Sequence, residues 1–132
     1  MSSCATMTTM AEPLNVLGEK LQSCSDDPVT GYFRDGCCNT GEGDAGSHTV
    51  CVEISAAFLQ CSLALGNDLV TARPALGFPG LQPGDRWCVC AARWLEAQER
   101  QAAPRVYLRS THKRALEVIP LALLRQYAAD LH

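Results

Sequence analysis

The amino-acid sequence predicts an α+β fold, a compact two-layer single domain with short, mostly antiparallel strands, three to four helices and long Gly/Pro-rich loops. Segments with strand patterns are short and alternate with helical ones, and few connections have the length of a βαβ crossover. With 132 residues, 47% of them hydrophobic, the chain can bury one core. We therefore expect a single α+β domain over residues 13–132, preceded by a disordered lead-in over residues 1–12.

The sheet layer is predicted from segments with the composition of extended chain. The clearest strand is residues 48–54, where valine and isoleucine recur at every second position and so share one face. Residues 87–90 and 105–109 show the same alternation over shorter lengths. Residues 14–18 and 32–34 are expected to be brief extended elements that end at a glycine or an Asp-Gly turn.

The second layer is predicted from four segments with helical composition. Residues 56–65 follow a serine suited to the N-cap position and precede a glycine, which commonly ends helices. Residues 91–101 form the second predicted helix. Thr111 is expected to cap a short third helix that ends at residue 116. The last predicted helix, residues 121–129, follows a proline suited to a first helical turn.

Charge and hydropathy exclude two classes of partner. The formal net charge of -3 and the pI near 5.5 leave no basic stripe for a phosphate backbone, so we expect no nucleic-acid partner. No apolar run approaches the ~20 residues that cross a bilayer, so we expect no membrane partner. The first ten residues lack the pattern of a secretory signal, and we therefore expect a cytoplasmic protein.

The eight cysteines are more than ordinary usage. In a reducing cytosol, thiols stay reduced unless a metal or catalysis uses them. We therefore expect buried free thiols that pack as small hydrophobic groups. The even number of cysteines leaves a framework of disulfides open as the alternative.

A series of short motifs resembles one protein family. The motifs are NVLG at residues 15–18, TGYFRDGCCNTG at 30–41, HTVC at 48–51, GNDL at 66–69, RP at 73–74, GFPGL at 77–81, PGDRWC at 83–88 and TH at 111–112. They resemble domain-of-unknown-function family 2237, small proteins of bacteria and some eukaryotes, from about residue 15 to residue 128. The resemblance implies a compact α+β single domain without an assigned activity, so it carries over no catalytic residue.

Polar residues next to glycine, proline or the ends of elements predict a loop-lined pocket. These predicted ligand-binding residues are Arg34, Asp35, Asp68, Arg73, Asp85, Arg86 and His112. Arginine can hold a carboxylate or phosphate through two hydrogen bonds, which favours an anionic metabolite bound by a binding protein or an enzyme. The alternatives are that the acids and arginines pair to hold loops together, and that Asp85 caps its own turn. His112 is either a general base at a helix start or a solvated residue of a first turn.

The cysteines and one histidine predict an alternative function as a thiolate metal-binding or redox protein. Cys88 and Cys90 lie two residues apart on a predicted strand and face the same side. Cys37, Cys38 and His48 could complete a zinc site, although the chain contains no Cys-x-x-Cys pair. His48 could also act as a base with Cys38 as a nucleophile. We predict no cofactor, with zinc as the alternative.

A third class of function is a structural or interaction module. In the last predicted helix, Leu121, Leu124, Ala128 and Leu131 recur at helical spacing and form an apolar stripe. Such a stripe packs onto a sheet or forms a dimer face, so the predicted state is a monomer or a homodimer.

Overall fold

The centre of the fold is a two-stranded antiparallel sheet, seen in a computed structural model that describes Cys4 and residues 13–130. Strand β1 is His48–Glu53 and strand β2 is Arg86–Cys90. Cys51 lies opposite Cys88 in this pairing. The register shifts between His48 and Val50, because one extra residue of β1 is accommodated there, and His48 therefore lies opposite Cys90.

Among the described residues, three α-helices and three short 3₁₀ segments surround this sheet. The helices are α1 (Ala56–Ala64), α2 (Ala91–Glu99) and α3 (Leu121–Gln126), and the 3₁₀ segments are Pro74–Leu76, Leu108–Ser110 and Lys113–Glu117. The predicted cap of α1 is confirmed, because the Ser55 hydroxyl accepts a hydrogen bond from the Phe58 amide at 3.1 Å. Helix α2 follows β2 without an intervening loop. These elements confirm the predicted α+β class.

The predicted strand at residues 105–109 is wrong beyond its first residues. Val106 makes isolated bridges to Val52 and Ala128, but the chain then turns into the 3₁₀ segment Leu108–Ser110. The carboxylate of Asp130 accepts hydrogen bonds from the amides of Leu108 and Arg109, at 2.8 and 2.9 Å. These amides are therefore satisfied by a side chain instead of a neighbouring strand.

The other predicted extended elements are also irregular. Residues 14–18 form a turn around Asn15, whose side-chain oxygen accepts hydrogen bonds from the amides of Leu17 and Glu19 at 2.9 and 3.0 Å. Residues 32–34 lie in turns. The predicted cap at Thr111 is wrong as well. Its hydroxyl donates to the Tyr107 carbonyl, and His112 caps the 3₁₀ segment that follows.

The core lies between the sheet and the helices. Phe58 of α1, Trp94 of α2 and Leu124 of α3 are all 0% exposed and pack in one cluster with Val50 and Val52. Fully burying such a side chain stabilises the fold by about 1.5–3 kcal/mol. The Trp94 indole donates to the Pro104 carbonyl at 3.1 Å. The packing of Leu124 places α3 against the core, while the predicted homodimer stays a prediction.

The expectation of free structural thiols is wrong for six of the eight cysteines. Disulfides join Cys4 to Cys37, Cys24 to Cys51 and Cys38 to Cys88, with Cα–Cα distances of 6.0, 5.8 and 5.2 Å. Among the described residues, Cys61 and Cys90 are free. The reason for the error is that folding brings together cysteines separated by 33, 27 and 50 residues, a proximity that local sequence does not reveal.

One residue of the predicted lead-in, Cys4, lies among the described residues. Cys4 is buried and its amide donates to the Leu21 carbonyl at 2.8 Å. The rest of the predicted lead-in over residues 1–12 lies outside the described residues, as does Leu131 of the predicted leucine stripe. Within residues 13–130, the helices are too short and too polar to span a bilayer.

Candidate functional site

A cavity of about 460 Å³ opens beside β2 and is lined by four segments that are distant in sequence. They are the turn at residues 31–34, the segment at residues 46–48, the loop at residues 67–78, and β2 with the start of α2. Among the described residues that line it, the charged side chains are Arg34, Arg73, Arg93 and Asp68. Three arginines and one aspartate give the lining a formal charge of +2, whereas the whole chain carries -3.

Arg34 is held over the floor of this cavity. Its guanidinium carbon lies 5.0 Å from the ring centroid of Trp87, a cation–π distance. Trp87 is 6% exposed and contacts Phe78 edge to face, with ring centroids 5.3 Å apart. The turn that carries Arg34 requires Gly31, because a Cβ atom there would overlap the Cys37 carbonyl. The arginine therefore approaches the cavity from a fixed position.

Asp68 and Arg73 lie in the loop at residues 67–78. One Asp68 oxygen accepts hydrogen bonds from the amides of Val70 and Thr71, at 2.9 and 3.1 Å. Hydrogen bonds from Thr71 first, and then from Val70, lower the pKa of Asp68, and the charge of Arg73 acts in the same direction. The backbone of Arg73 exchanges hydrogen bonds with Phe78 at 2.8 and 3.2 Å. This loop is thus fixed by its own hydrogen bonds, with its arginine at the cavity.

Arg93 is a cavity residue that sequence reasoning missed. It lies in the first turn of α2, and its guanidinium donates to the Leu65 carbonyl at 3.3 Å and to the Glu96 carboxylate at 3.1 Å. The available signal was its position three residues after Cys90, which places it in the first helical turn after the strand that borders the cavity.

The structure does not bring the remaining four predicted ligand-binding residues into this cavity. Asp35 accepts from the Cys37 amide at 3.0 Å, and Asp85 accepts from the Gln82 amide at 2.9 Å, so each caps its own turn. Arg86 lies over the ring of Tyr107, 3.7 Å from its centroid. The two aspartates are used locally because short turns leave backbone amides in need of partners.

His112 lines a second cavity of about 640 Å³. Its Nδ1 accepts a hydrogen bond from the Arg114 amide at 3.0 Å, which commits this nitrogen to the cap of a 3₁₀ segment. Burial first, and then the positive charge of Arg114, lowers the pKa of His112. A general-base role together with Arg34 or Arg73 therefore has no geometric support.

His48 belongs to the arginine-lined cavity and has a buried carboxylate behind it. Its Nδ1 lies 2.6 Å from one oxygen of Asp44, whose side chain is 0% exposed. The other oxygen accepts from the His48 amide at 2.9 Å and from the Thr40 hydroxyl at 3.0 Å. Burial alone raises the pKa of the Asp44 carboxyl, but hydrogen bonds from His48 and Thr40 together lower it below its ordinary value. Sequence reasoning missed Asp44, although it precedes His48 by four residues.

Cys90 is the free cysteine of this cavity. It lies at the end of β2, directly opposite His48, and occupies the N-cap position of α2. The predicted nucleophile pair of His48 with Cys38 is wrong, since Cys38 is bonded to Cys88. The predicted metal set of Cys37, Cys38, His48, Cys88 and Cys90 is likewise not assembled, because Cys37 is bonded to Cys4.

A different group of sulfur atoms comes together below the cavity. The sulfur atoms of Cys24, Cys38 and Cys88 all lie within 4.8 Å of one another, and each residue is buried. Cys51 packs in the same cluster, so two disulfides lie in contact. The Thr30 hydroxyl accepts from the Cys88 amide at 2.8 Å and fixes this strand against the cysteine-bearing loop.

Fold and site together define a small α+β protein with a positively lined cavity beside a cysteine-rich core. Residues 14–128 match the family described as an uncharacterized protein conserved in bacteria (DUF2237), and the chain belongs to this family. This confirms the resemblance found in the motifs. A comparison with curated proteins finds no match.

Proposed function

We propose that this protein binds a small anionic metabolite in the cavity lined by Arg34, Arg73 and Arg93. The single observation that supports this proposal is the +2 formal charge of the lining in a protein of net charge -3. Positive charge concentrated in a concave site raises the local concentration of anions and speeds their association. The volume of about 460 Å³ falls in the range of ~300–1,000 Å³ that is typical of small-molecule sites.

The arginines are placed to recognise a planar anionic group. Guanidinium groups form paired hydrogen bonds with carboxylate or phosphate oxygens. Arg34 already rests on the Trp87 ring, so less of its side-chain freedom is lost on binding. Trp87 and Phe78 supply an apolar wall for the carbon skeleton of the ligand. A carboxylate or phosphate ester with a short carbon chain fits both features.

The test is a thermal-shift screen with dicarboxylates, phosphate esters and neutral analogues of matched size. A ligand at 100 times its Kd stabilises the protein by about 2.7 kcal/mol. Stabilisation of this size raises the melting temperature enough to be measured readily. We expect anions to bind and their amides or alcohols not to bind. The substitutions Arg34→Met and Arg73→Met are each expected to weaken binding by about tenfold or more, since a charged hydrogen bond contributes ~1.5–3 kcal/mol.

Arg86→Met is the matched control, because Arg86 is an arginine of β2, the strand that borders the cavity, but lies over Tyr107 and does not line the cavity. It is expected to leave anion affinity unchanged. If Arg86→Met weakens binding as much as Arg34→Met, the attraction comes from overall charge and the cavity is not the site.

A second candidate function is metal binding by the buried sulfur cluster when its disulfides are reduced. Its support is the mutual approach of three sulfur atoms within 4.8 Å, with Cys51 beside them as a fourth. Zinc commonly takes four such ligands. After reduction we expect the protein to bind one zinc ion, and the Cys24→Ser variant to lose it while Cys61→Ser keeps it. A reduced protein that binds no zinc contradicts this candidate.

The cellular location bears on both candidates. A cytoplasmic location stays our prediction, but three disulfides favour an oxidising environment. Trapping of thiols in fresh cell lysate with a maleimide of known mass distinguishes the disulfide-bonded protein from the reduced protein. Modification of Cys61 and Cys90 alone indicates disulfides in the cell, and modification of all eight cysteines indicates a reduced protein. We further propose that the protein is a monomer or a homodimer and that it binds neither nucleic acid nor membrane.

A further inference from the structure

We propose that Cys90 is a nucleophile, with His48 as its base and Asp44 as the residue that positions His48, and that it accepts an acyl group from a carboxylate-bearing ester or thioester. The inference deepens the proposed function, because it assumes that the arginines of the same cavity hold the anionic part of the substrate. It is carried by one juxtaposition: a free cysteine and a carboxylate-backed histidine face each other across two strands and line the same cavity.

The strand pairing places the two residues opposite each other. Directly opposed residues of antiparallel strands have Cβ atoms about 4.5–5.5 Å apart and project to the same face. His48 and Cys90 are such a pair only because of the register shift between His48 and Val50. Irregularities of this kind are common beside active sites, where they redirect a side chain. Both residues are half-buried, so a small molecule in the cavity can reach them.

The Asp44 contact fixes which imidazole nitrogen is available. The hydrogen bonds that lower the pKa of Asp44 keep it ionised, so its oxygen can only accept a hydrogen bond. Nδ1 of His48, 2.6 Å from that oxygen, therefore carries the ring proton. This leaves the lone pair on Nε2, which can take a proton from a thiol or from water. Nucleophile, base and orienting carboxylate are the three parts of a catalytic triad.

Helix α2 supplies a site for developing negative charge. This helix has nine residues and begins directly after Cys90, so the positive end of its dipole lies next to this residue. The Ala91 amide donates to the Ser47 carbonyl at 3.1 Å, which ties the start of α2 to the start of β1. The amides of the next residues in the first turn are oriented toward the helix N-terminus, where the oxyanion of an acyl-transfer intermediate would form.

Backbone strain is concentrated around the same cavity. Among the described residues, the non-glycine residues with positive φ are Arg34, Ser47 and Gln101. Gln101 follows the C-cap of α2, where a left-handed residue is the usual way for a helix to end. Arg34 and Ser47 have no such explanation, and one lines the cavity while the other precedes His48. Strain of this kind clusters at functional sites.

The proposed reaction proceeds in two balanced steps. In the first, Nε2 of His48 takes the Cys90 proton, the sulfur forms a bond to the acyl carbon, and the bond to the leaving oxygen or sulfur breaks as that group takes the proton from His48. In the second, His48 takes a proton from water, the water oxygen bonds to the acyl carbon, and the bond to Cys90 breaks as the sulfur regains the proton. The net reaction is hydrolysis of the ester or thioester.

The first test compares alkylation of Cys90 by iodoacetate, which is anionic, and by iodoacetamide, which is neutral. In each reaction a sulfur–carbon bond forms and iodide leaves. Cys61 is the internal reference, since it is the other free, half-buried cysteine among the described residues, and peptide mass spectrometry measures both rates. We expect Cys90 to react faster than Cys61 with both reagents. We also expect the Cys90-to-Cys61 rate ratio to be larger for iodoacetate.

Two variants separate the nucleophile from the anion site. His48→Gln is expected to slow both alkylations of Cys90 by about 10²-fold, the usual contribution of a general base, with the preference for iodoacetate retained. Arg34→Met is expected to lower the Cys90-to-Cys61 rate ratio for iodoacetate more than the ratio for iodoacetamide, because it removes one of the arginines that attract the anion. Equal rates at Cys90 and Cys61 in the unmodified protein overturn the inference. A reactive Cys90 without preference for iodoacetate instead contradicts only the proposed anion site.

The second test examines acyl transfer directly. Mixing the protein with 4-nitrophenyl hydrogen succinate should release a burst of 4-nitrophenolate equal to the protein concentration, with succinyl-Cys90 detected by mass spectrometry. His48→Gly should lose the burst and regain it with added imidazole, a rescue that a purely structural role would not produce. Absence of a Cys90 adduct in the unmodified protein overturns the proposed acyl chemistry.

Asp44 is tested as a positioning residue by a spectroscopic signature. The ¹⁵N chemical shifts of the His48 ring should report the Nδ1-protonated form in the unmodified protein. Asp44→Asn should give a mixture of both ring tautomers, together with slower alkylation of Cys90. An unchanged tautomer in Asp44→Asn contradicts the positioning role.

Discussion

Cys88 and Cys90 lie two residues apart on the same strand, yet their surroundings give them opposite chemistry. Cys88 is 2% exposed, lies among three other cysteines and is bonded to Cys38. Cys90 is half-buried, lies opposite His48 and is free. The comparison shows that strand position alone does not decide the role of a thiol. What decides it is whether the paired strand and the adjoining loop present another sulfur or a base.

The largest expected difference between these cysteines is in stability. Replacing Cys38 and Cys88 together by serine should lower the free energy of unfolding by about 2–5 kcal/mol, because the disulfide restricts the unfolded chain. Cys90→Ser, at a half-buried position without a covalent partner, should change it by less than about 0.5 kcal/mol. Urea denaturation measured by circular dichroism gives both values. Equal losses from the two changes would contradict a stabilising role for the Cys38–Cys88 disulfide.

Asp44 gives the next largest effect, and the effect depends on pH. The pKa of this carboxyl is lowered in the folded protein. Its contribution to stability is therefore fully present above the unfolded-state pKa of about 3.9, and it is lost as the pH falls through the lower folded-state value. Asp44→Asn should lower stability near pH 7 by about 1–3 kcal/mol, the usual loss for a buried charged hydrogen bond. The difference between the two proteins should shrink at acidic pH.

Urea denaturation of both proteins across this pH range provides the measurement. Glu99→Gln, an exposed acid on α2, serves as the matched control and should show no comparable change. A loss for Asp44→Asn that is the same at neutral and acidic pH contradicts the assignment of an ionised carboxylate.

Gly46 allows a smaller and more local change at the Cys90 end of the sheet. A Cβ atom at this position would lie 2.9 Å from Cε1 of His48, so the imidazole would have to shift. Gly46→Ala should therefore weaken the contact between His48 and Asp44, with a stability change of about 1 kcal/mol or less and a marked loss of Cys90 alkylation. Gly84→Ala is the control, since it meets no heavy atom within 4 Å. Gly84 has a positive φ and Gly46 does not, so any stability loss in Gly84→Ala comes from backbone strain that Gly46→Ala does not introduce.

The smallest predicted effect belongs to the opposite end of β2, at Arg86. Burial raises the pKa of Tyr107, the charge of Arg86 lowers it, and a hydrogen bond to Glu53 raises it again. Arg86→Met should therefore raise the pKa of Tyr107 further and cost about 0.5–1 kcal/mol of stability through loss of the cation–π contact. Ultraviolet titration of the tyrosines measures the first effect. A fall in the pKa of Tyr107 contradicts the assigned contact.

Sequence patterns predicted the parts of the fold that depend on neighbouring residues. Alternation of valine and isoleucine identified β1, and the capping serine identified the start of α1. The segment that continues from Val106 was misjudged because Asp130, which lies beyond the predicted strand, satisfies its amides. Alternation describes how side chains are distributed, and it does not reveal which group the backbone will bond.

The candidate site was predictable only in part, for the same reason. Arg34, Asp68 and Arg73 were identified because they adjoin glycine or proline in loops, and all three line the cavity. Arg93 was missed because a helical arginine is ordinarily solvated.

The sequence by itself therefore determined the α+β class, the family and the loops that carry charge, since periodicity, caps and motifs are local properties. The tertiary structure alone decided the pairing of Cys38 with Cys88, the approach of His48 to Cys90 and the buried carboxylate behind His48. The disulfide joins residues 50 positions apart. The facing of His48 and Cys90 depends on a one-residue register shift between strands, which is set by how the whole chain packs.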